Sequence, residues 1–263
     1  MLELNKIHHG DCLELMKDIP DNTIDLTVTS PPYDNLRTYN GFSFDFEGIA
    51  NELYRVTKVG GVVVWVVADA TIKGSETGTS FKQALYFKEI GFNLHDTMIY
   101  AKKAVGASGS MYSYQQSFEY MFVLSKGKIK TFNPIKDLIP KNAGKPTRYT
   151  KTSKSNKEGY SNETHIKLAP KASKRKNLWF YDVGFGARND RTKHPAMFPE
   201  KLAEDHILSW SNPGDVVFDP MAGAGTTCKM AMLNDRKYLG MEISEEYVDI
   251  ANKRIEEHEM KLV

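Results

Sequence analysis

Two short motifs, separated by almost the whole chain, contain the residue types best suited to chemistry. Ser30-Pro31-Pro32-Tyr33 ends one apolar run near the N-terminus. Asp219-Pro220 and the small-residue turn Gly223-Ala224-Gly225-Thr226-Thr227 end another near the C-terminus. A hydroxyl, two rigid prolines and an aromatic ring suit a loop that grips a flat base and its exocyclic amine. The glycine turn suits a loop that wraps around a nucleoside cofactor.

The second motif has the layout of a nucleotide-binding loop that follows a strand. Gly223 and Gly225 permit positive φ and a close approach of backbone to ligand. Asp219 could bind a ligand's ammonium group or a bridging water. Glu242 stands 242 − 219 = 23 residues further on, where dinucleotide folds place the acidic residue that binds the ribose. Taken alone, the glycines also fit a tight strand–helix turn, and Glu242 also fits an exposed strand-end acid. The loop lacks the Lys-Ser/Thr pair of a phosphate-binding loop, so a nucleoside triphosphate is not expected.

A third segment, KHPAMFPEKL, leads into a predicted helix over residues 199–210. The ring of Phe198 and the N-terminus of that helix could hold a carboxylate of the cofactor beside the glycine loop. His194 could join them, although a histidine before a proline is equally well explained as a structural turn residue.

Composition limits the class of protein. The chain has 263 residues, 41% of them apolar and 26% charged, as is ordinary for one large α/β domain with an insertion. Cys12 and Cys228 are the two cysteines and form no CxxC pair, which argues against disulfides and a zinc site and favours a cytoplasmic location. The N-terminal residues show no secretion signal, and the longest apolar run, residues 60–68, is too short to span a membrane.

Charge is distributed very unevenly along the chain. Residues 126–176 contain 13 Lys and 2 Arg against three acidic residues, a net charge of 15 − 3 = +12. The whole chain has a net charge of +2, so the rest carries 2 − 12 = −10. Such a segment fits a polyanionic partner, and it fits a solvated, partly disordered loop equally well.

Apolar β-branched runs alternate with helical patterns along most of the chain. This alternation predicts an α/β fold with a mostly parallel sheet covered on both faces. The predicted strands are residues 6–9, 24–29, 62–67, 94–100, 118–124, 216–219 and 237–243. The strands over 94–100 and 118–124 are expected to form an antiparallel pair at one sheet edge, and Gly60-Gly61 is expected to stop the preceding helix. Because ligands bind at the carboxyl ends of parallel strands, one cleft is expected to contain both motifs.

The motifs and their order resemble the β class of site-specific DNA amino-methyltransferases, in which the SPPY or DPPY motif comes first, then target recognition, then the cofactor motif. The resemblance covers nearly the whole chain. It rests on HHGDCLELM, TVTSPPYD, the Gly60-Gly61 strand, SFEYMFVLSKG, NLWFYDVG, KHPAMFPEKL and DPMAGAGTTCKMA with RKYLGMEISEEYVDIANKRI.

This resemblance implies a doubly wound, mostly parallel seven-stranded sheet, S-adenosylmethionine as cofactor, and methyl transfer to a base amine. It divides the chain into a catalytic part (1–103), an edge strand with a basic target-recognition insertion (104–190) and a cofactor-binding part (191–263). Asp11 would approach the cofactor's adenine and Glu242 its ribose. Its methionine end would be lined by Asp219, Pro220, Gly223, Gly225, Thr226 and Thr227, with His194 and Phe198 closing the pocket.

The mechanism expected from the first motif is direct transfer. Ser30 and the carbonyl of Pro31 would accept the amine hydrogens, Tyr33 would stack on the base, and Pro32 would help to fix the loop. A base within a duplex cannot reach such a loop, so base flipping is implied. Neither cysteine follows a proline, which disfavours a covalent intermediate and methylation at ring carbon 5 of cytosine.

The target base is expected to be cytosine, at its 4-amino group, since serine at the first motif position resembles the cytosine enzymes. Adenine, at its 6-amino group, is the first alternative. Remoter alternatives are a catalytically silent DNA-binding module and a methyltransferase for RNA or protein. The expected partners are double-stranded DNA and a restriction endonuclease of the same modification system, with no membrane, and the protein would act as a monomer or homodimer.

Overall fold

The computed structural model describes residues 2–32, 44–102, 112–154, 160–182 and 199–259. Three of the candidate site residues, Tyr33, His194 and Phe198, lie outside these ranges. The chain divides into two compact units. The larger comprises Met1–Asn133 with Asn177–Val263, and the smaller comprises Pro134–Lys176.

The described residues form twelve strands and six α-helices. The strands are β1 (Lys6–His9), β2 (Ile24–Thr29), β3 (Thr57–Val67), β4 (Thr71–Ile72), β5 (Ser75–Glu76), β6 (Asn93–Lys102), β7 (Phe118–Ser125), β8 (Pro146–Lys154), β9 (Tyr160–Leu168), β10 (Leu178–Tyr181), β11 (Val216–Asp219) and β12 (Lys237–Glu242). The helices are α1 (Cys12–Met16), α2 (Phe46–Val56), α3 (Thr79–Glu89), α4 (Glu200–Trp210), α5 (Thr226–Leu233) and α6 (Glu245–Glu259). No helix within the described ranges has the length and apolar character needed to cross a membrane.

The larger unit is built on one eight-stranded sheet with the order β1-β12-β11-β2-β3-β7-β6-β10. Strand β7 runs antiparallel to both of its neighbours, and the other pairs are parallel. The predicted fold class is therefore confirmed, with eight strands in place of seven. The eighth strand is β10, which pairs in parallel with β6, so the antiparallel β6–β7 pair lies one strand inside the sheet edge rather than at it.

The helices cover the sheet in two layers. In one layer α2 contacts both α1 and α3, while in the other α5 contacts α4 and α6. Trp65 on β3 is fully buried and meets Phe87 of α3 and Phe46 of α2 edge to face, at ring-centroid distances of 5.2 and 5.9 Å. Edge-to-face ring packing of this kind stabilises a core beyond its buried area.

Gly60 and Gly61 do not stop helix α2, contrary to the prediction. The helix ends at Val56 and β3 begins at once, so both glycines lie inside the strand. Gly60 has a φ of 89°, and a Cβ on Gly61 would lie 2.9 Å from the carbonyl oxygen of Asp25 on β2. The glycines thus allow close strand pairing where the β2–β3 register shifts.

The order in which successive strands are added to the sheet reverses between β11 and β2, which are parallel neighbours. From β11 the chain continues through α5 to β12 on one side. From β2 it continues through α2, in the other layer, to β3 on the other side. This is the topological switch point of a doubly wound sheet, and ligands bind outside the carboxyl ends of the strands there. Ser30 directly follows β2, and Pro220 directly follows β11.

The smaller unit is organised around an antiparallel ribbon of β8 and β9, which the sequence did not predict. The pairing runs from Pro146↔Leu168 to Lys154↔Tyr160. Outside the ribbon, Arg175 Nε donates to Asp137 at 2.7 Å. The unit contains ten lysines and two arginines against three acidic residues, a net charge of 12 − 3 = +9.

Candidate active site

Two hydroxyl groups fasten the strand of the first motif to the cofactor motif. Thr29, the last residue of β2, donates from Oγ1 to Asp219 Oδ1 at 2.7 Å. Thr227, in the first turn of α5, donates from Oγ1 to the carbonyl of Val28 at 3.0 Å. The structure therefore brings the two motifs to adjacent strand ends, as predicted. Thr29 was not among the candidate residues, because nothing local distinguishes it from any other β-branched strand residue.

Asp219 is buried, with 2% of its surface exposed. Besides Thr29, the backbone N–H of Met221 donates to the same carboxylate oxygen at 3.1 Å. Burial raises the pKa of Asp219 to about 6, although hydrogen bonds from Thr29, Met221 and Thr227 act in the opposite direction. In the structure Asp219 thus links the end of β11 to the end of β2 through Thr29 and to the following loop through Met221. Its direct contact with a cofactor ammonium stays a prediction.

Glu242, the last residue of β12, is 8% exposed and is not an exposed strand-end acid. Its Oε2 accepts from the N–H of Gly223 at 2.8 Å, and its Oε1 accepts from the N–H of Ser244 at 2.9 Å. Burial raises the pKa of Glu242, and the backbone N–H groups partly offset that shift. A carboxylate group has about four lone-pair positions, so Glu242 retains acceptor capacity for a ribose hydroxyl besides these backbone donors.

The glycine turn requires left-handed backbone at two positions. Gly223 has a φ of 51° and Gly225 a φ of 74°. A Cβ on Gly225 would also lie 2.8 Å from Cβ of Ala251 on α6. The turn therefore excludes larger residues for two reasons, backbone strain and close packing. Thr226 begins α5 directly after it, so Thr226 and Thr227 present the N-terminus of a helix at this sheet edge.

Asp11 lies at the carboxyl end of β1, beside β12. His9 pairs with Glu242 in the sheet, and the N–H of Gly10 donates to the Glu242 carbonyl at 2.9 Å. Asp11 caps α1 by accepting from the N–H of Leu13 at 2.8 Å. Three carboxylates, those of Asp11, Glu242 and Asp219, thus lie at the carboxyl ends of the neighbouring strands β1, β12 and β11. This set suits a ligand that carries hydroxyl groups and a positive charge.

The first motif occupies the end of β2. Ser30 and Pro32 are partly buried and Pro31 is buried. Tyr33 lies outside the described residues, as do His194 and Phe198, so the roles of these three stay predictions. The described part of the third segment begins with Pro199, which precedes α4 as expected.

The fold and the two motifs at its switch point define a doubly wound α/β protein with a loop suited to a nucleoside ligand, and comparisons with known proteins narrow that class. A family model described as DNA methylase, for N6 and N4 methyltransferases, matches residues 24–253. The chain belongs to this family. The resemblance to DNA amino-methyltransferases is therefore confirmed, and the substrate of the protein is DNA.

Curated relatives agree with the family. The chain is 57% identical over 249 residues to the orphan methyltransferase M.BamHII of Bacillus amyloliquefaciens, covering 93% of each chain. It is 30% identical to the Type II methyltransferase M.BglII of Bacillus subtilis, covering 94% of this chain and 68% of the relative. It is 28% identical to the DNA adenine methyltransferase YhdJ of Escherichia coli, covering 97% and 83%.

Solved structures share the fold. The cytosine-N4-specific PvuII DNA methyltransferase superposes with a TM-score of 0.68 at 21% identity, covering 94% of this chain and 85% of the other. The M1.HpyAVI–SAM complex superposes with a TM-score of 0.62 at 22% identity, covering 95% and 98%. The cofactor predicted from the sequence is thus the one carried by a protein of the same fold.

Proposed function

We propose that this protein transfers a methyl group from S-adenosylmethionine directly to the exocyclic 4-amino group of a flipped cytosine at specific sites in double-stranded DNA. The observation that carries the proposal is the hydrogen bond between Thr29 and Asp219. Through it, the residue before Ser30 holds the residue that begins the cofactor motif. A base bound at the first motif and a cofactor bound at the second would be adjacent.

The residues present fit S-adenosylmethionine. Glu242 has acceptor positions for the ribose hydroxyls, and the loop over 220–225 gives close backbone approach. Asp11 lies next to Glu242 on the side proposed for the adenine, while Asp219, Thr226 and Thr227 lie on the side proposed for the methionine end. When bound, the cofactor supplies a methyl group already activated by its sulfonium. Alignment of the acceptor amine then determines the rate.

The first motif orients the acceptor amine. The lone pair of a base amine is delocalised into the ring, so the amine is a poor nucleophile in the plane of the base. The Ser30 hydroxyl and the Pro31 carbonyl accept the two amine hydrogens and favour a geometry in which the lone pair points out of that plane. Pro31 and Pro32 restrict the loop to this shape with little further loss of entropy. Tyr33 stacks on the base and keeps it outside the duplex.

Serine at position 30 favours cytosine over adenine. The preference rests on the resemblance of serine at this motif position to the cytosine enzymes. The hydroxyl could accept from the 4-amino group and donate to the adjacent ring nitrogen, but adenine presents the same pair of groups, so these contacts alone do not select the base. Similarity in fold to the cytosine-N4-specific PvuII enzyme is in keeping with this choice. The alternative, methylation of adenine at its 6-amino group, is favoured by the similarity to YhdJ over most of the chain.

The smaller unit is the part of the chain best suited to hold DNA. Its net charge of +9 opposes that of the phosphate backbone, and Lys145, Arg148 and Lys167 are exposed at the base of the β8–β9 ribbon. A two-stranded ribbon is one of the elements that fit the major groove of B-DNA. On the same ribbon, the rings of Tyr149 and His165 stack with centroids 5.4 Å apart. We assign target recognition to residues 104–190, which include this unit.

The decisive experiment is to incubate the protein with unmodified DNA and S-adenosylmethionine and to identify the methylated nucleoside by mass spectrometry. The proposal expects 4-methylaminated cytidine. Formation of 6-methylaminated adenosine would retain the cofactor and mechanism but would overturn the reading of Ser30. Competition with RNA in the same assay tests the nucleic-acid class, since duplex DNA should compete and RNA should not.

A further inference from the structure

An ionic cluster of two buried cations and the partly exposed Glu200 joins three helices to the cofactor loop. Arg254 on α6 donates from Nη1 to the carbonyl of Ala224, in the middle of the glycine turn. Its Nη2 donates to Oε1 of Glu200, the first residue of α4, at 2.9 Å. Lys229 on α5 donates to the same oxygen at 2.6 Å. The side chains of Lys229 and Arg254 are only 5% and 6% exposed.

The cluster acts on the most adaptable part of the loop. Ala224 stands between Gly223 and Gly225, and both glycines have positive φ. Glycines have unusually many accessible backbone conformations, so a peptide group between two of them is not fixed by local sterics. A guanidinium is planar with its donors in a rigid fork. Once Glu200 fixes one arm of Arg254, the other arm fixes the direction of the Ala224 carbonyl.

We infer that Arg254 is a positioning residue that holds the cofactor loop in its binding conformation, with Glu200 orienting Arg254 and Lys229 orienting Glu200. The inference rests on the proposed function, because it assumes that S-adenosylmethionine binds at this loop. It adds a role for the C-terminal helix, which contains none of the candidate site residues. It also assigns Glu200, the first residue of α4, an indirect role in cofactor binding.

A second arginine in the same unit provides a matched control. Arg55 donates from Nη1 to the carbonyl of Ile19 and from Nη2 to the carbonyl of Met16 and to Glu52. It therefore has the same kinds of partner as Arg254, a main-chain carbonyl and a carboxylate. Arg55 joins α2 to the end of α1, and its hydrogen bonds within the described residues go to Met16, Ile19, Asp21 and Glu52 rather than to the cofactor loop. Its removal should lower stability without changing the loop.

The test compares Arg254→Met with Arg55→Met. S-adenosylmethionine affinity is measured by titration calorimetry without DNA, and hydrogen exchange is measured at the amides of Ala222, Gly223 and Gly225. Arg254→Met should weaken cofactor binding about tenfold, because the buried Ala224 carbonyl loses its donor. Exchange at the loop should also accelerate in the absence of cofactor. Arg55→Met should lower the melting temperature and leave both quantities unchanged.

Milder variants keep the test decisive if Arg254→Met does not fold. Lysine has a single ammonium in place of the fork, so Arg254→Lys should restore only part of the affinity. Glu200→Gln keeps an acceptor and removes the charge, so it should show a smaller loss in the same direction. Unchanged affinity and loop exchange in folded Arg254 variants would overturn the inference. Failure of the wild-type protein to bind S-adenosylmethionine would instead overturn the proposed function.

Discussion

The hydroxyl of Thr29 donates a 2.7 Å hydrogen bond to Asp219, which lies 190 residues further along the chain. Thr29 is the last residue of β2 and Asp219 is the last residue of β11, and both are buried. The two strands are neighbours in the sheet. The bond therefore couples the position of the proposed base site to the position of the proposed cofactor site.

Removal of the Thr29 hydroxyl should reduce methyl transfer by more than the accompanying loss of stability explains. Thr29→Val keeps the shape of the side chain and should lower the free energy of unfolding by about 1–3 kcal/mol, since a buried carboxylate loses a donor. Methyl transfer should fall by about tenfold or more, because small displacements of reacting groups are costly. The measurements are urea unfolding and single-turnover transfer. Thr29→Ser keeps the hydroxyl and should recover most of the activity.

Thr57→Val provides the control for this prediction. Thr57 is also fully buried, and its hydroxyl donates to the carbonyl of Leu53 at 2.6 Å, away from both motifs. The variant should lose stability and retain transfer activity once the fraction of folded protein is taken into account. If Thr57→Val reduced transfer as much as Thr29→Val, the role assigned to Thr29 would be wrong.

The raised pKa of Asp219 should make stability depend on pH. Its pKa is about 6 in the folded protein against an ordinary value of 3.8, so the native state binds more protons than the unfolded state between these values. Stability from this group is fully present below pH 3.8 and is lost as pH rises through about 6. The full change is about 3 kcal/mol, from about 1.4 kcal/mol per pKa unit.

Asp219→Asn removes this titration and tests its sign. The amide oxygen can still accept from Thr29, while the side chain carries no charge at any pH. Relative to wild type, the variant should therefore gain stability as the pH is raised from 4 to 7. Chemical denaturation at a series of pH values measures the difference. A constant difference, or one that decreases with pH, would contradict the assignment to Asp219.

The sequence predicts the parts of the fold that local patterns determine. Alternating apolar strands and helices identified the class of sheet, and the positions of the motifs at strand ends predicted that the two motifs would lie together, as they do. The ribbon of β8 and β9 was not predicted, because TRYTKTSK and SNETHIKL lack the apolar alternation of a half-buried strand. Strand β10 has only four residues and becomes a strand through its pairing with β6.

The sequence did not single out Thr29 or Arg254, and the physical reason is the same for both. Thr29 and Arg254 are ordinary residue types in ordinary strand and helix positions. What distinguishes them is a partner distant in the chain, Asp219 for Thr29 and Glu200 with Ala224 for Arg254. Periodicity and spacing describe neighbours in sequence only. Such residues become visible when the tertiary contacts are known.

Neutralising exposed lysines of the smaller unit should weaken DNA binding in a salt-dependent way. Lys145→Gln with Lys167→Gln should reduce the slope of log K against log salt by about 0.9 for each phosphate contact removed. Two lysines of the larger unit are also exposed, Lys88 in the last turn of α3 and Lys237 at the amino end of β12, and the same double change there should leave the slope unaltered. Fluorescence anisotropy at several salt concentrations measures both. An unchanged slope in the first variant would mean that these lysines do not contact phosphate.

Ser30→Ala should separate chemistry from cofactor binding. The side chain is proposed to orient the base amine, whereas the residues proposed to hold the cofactor lie at the carboxyl ends of β1, β11 and β12. Transfer should therefore fall about a hundredfold, the order of loss found when one hydrogen bond to a transition state is removed. The dissociation constant for S-adenosylmethionine should stay within about twofold of wild type, well under the tenfold that 1.4 kcal/mol produces. Ser125→Ala provides the control, because Ser125 is buried at the far end of β7 and donates to the Gly127 carbonyl. It should leave transfer unaffected, and an equal loss of transfer and cofactor binding in Ser30→Ala would contradict the role of the hydroxyl.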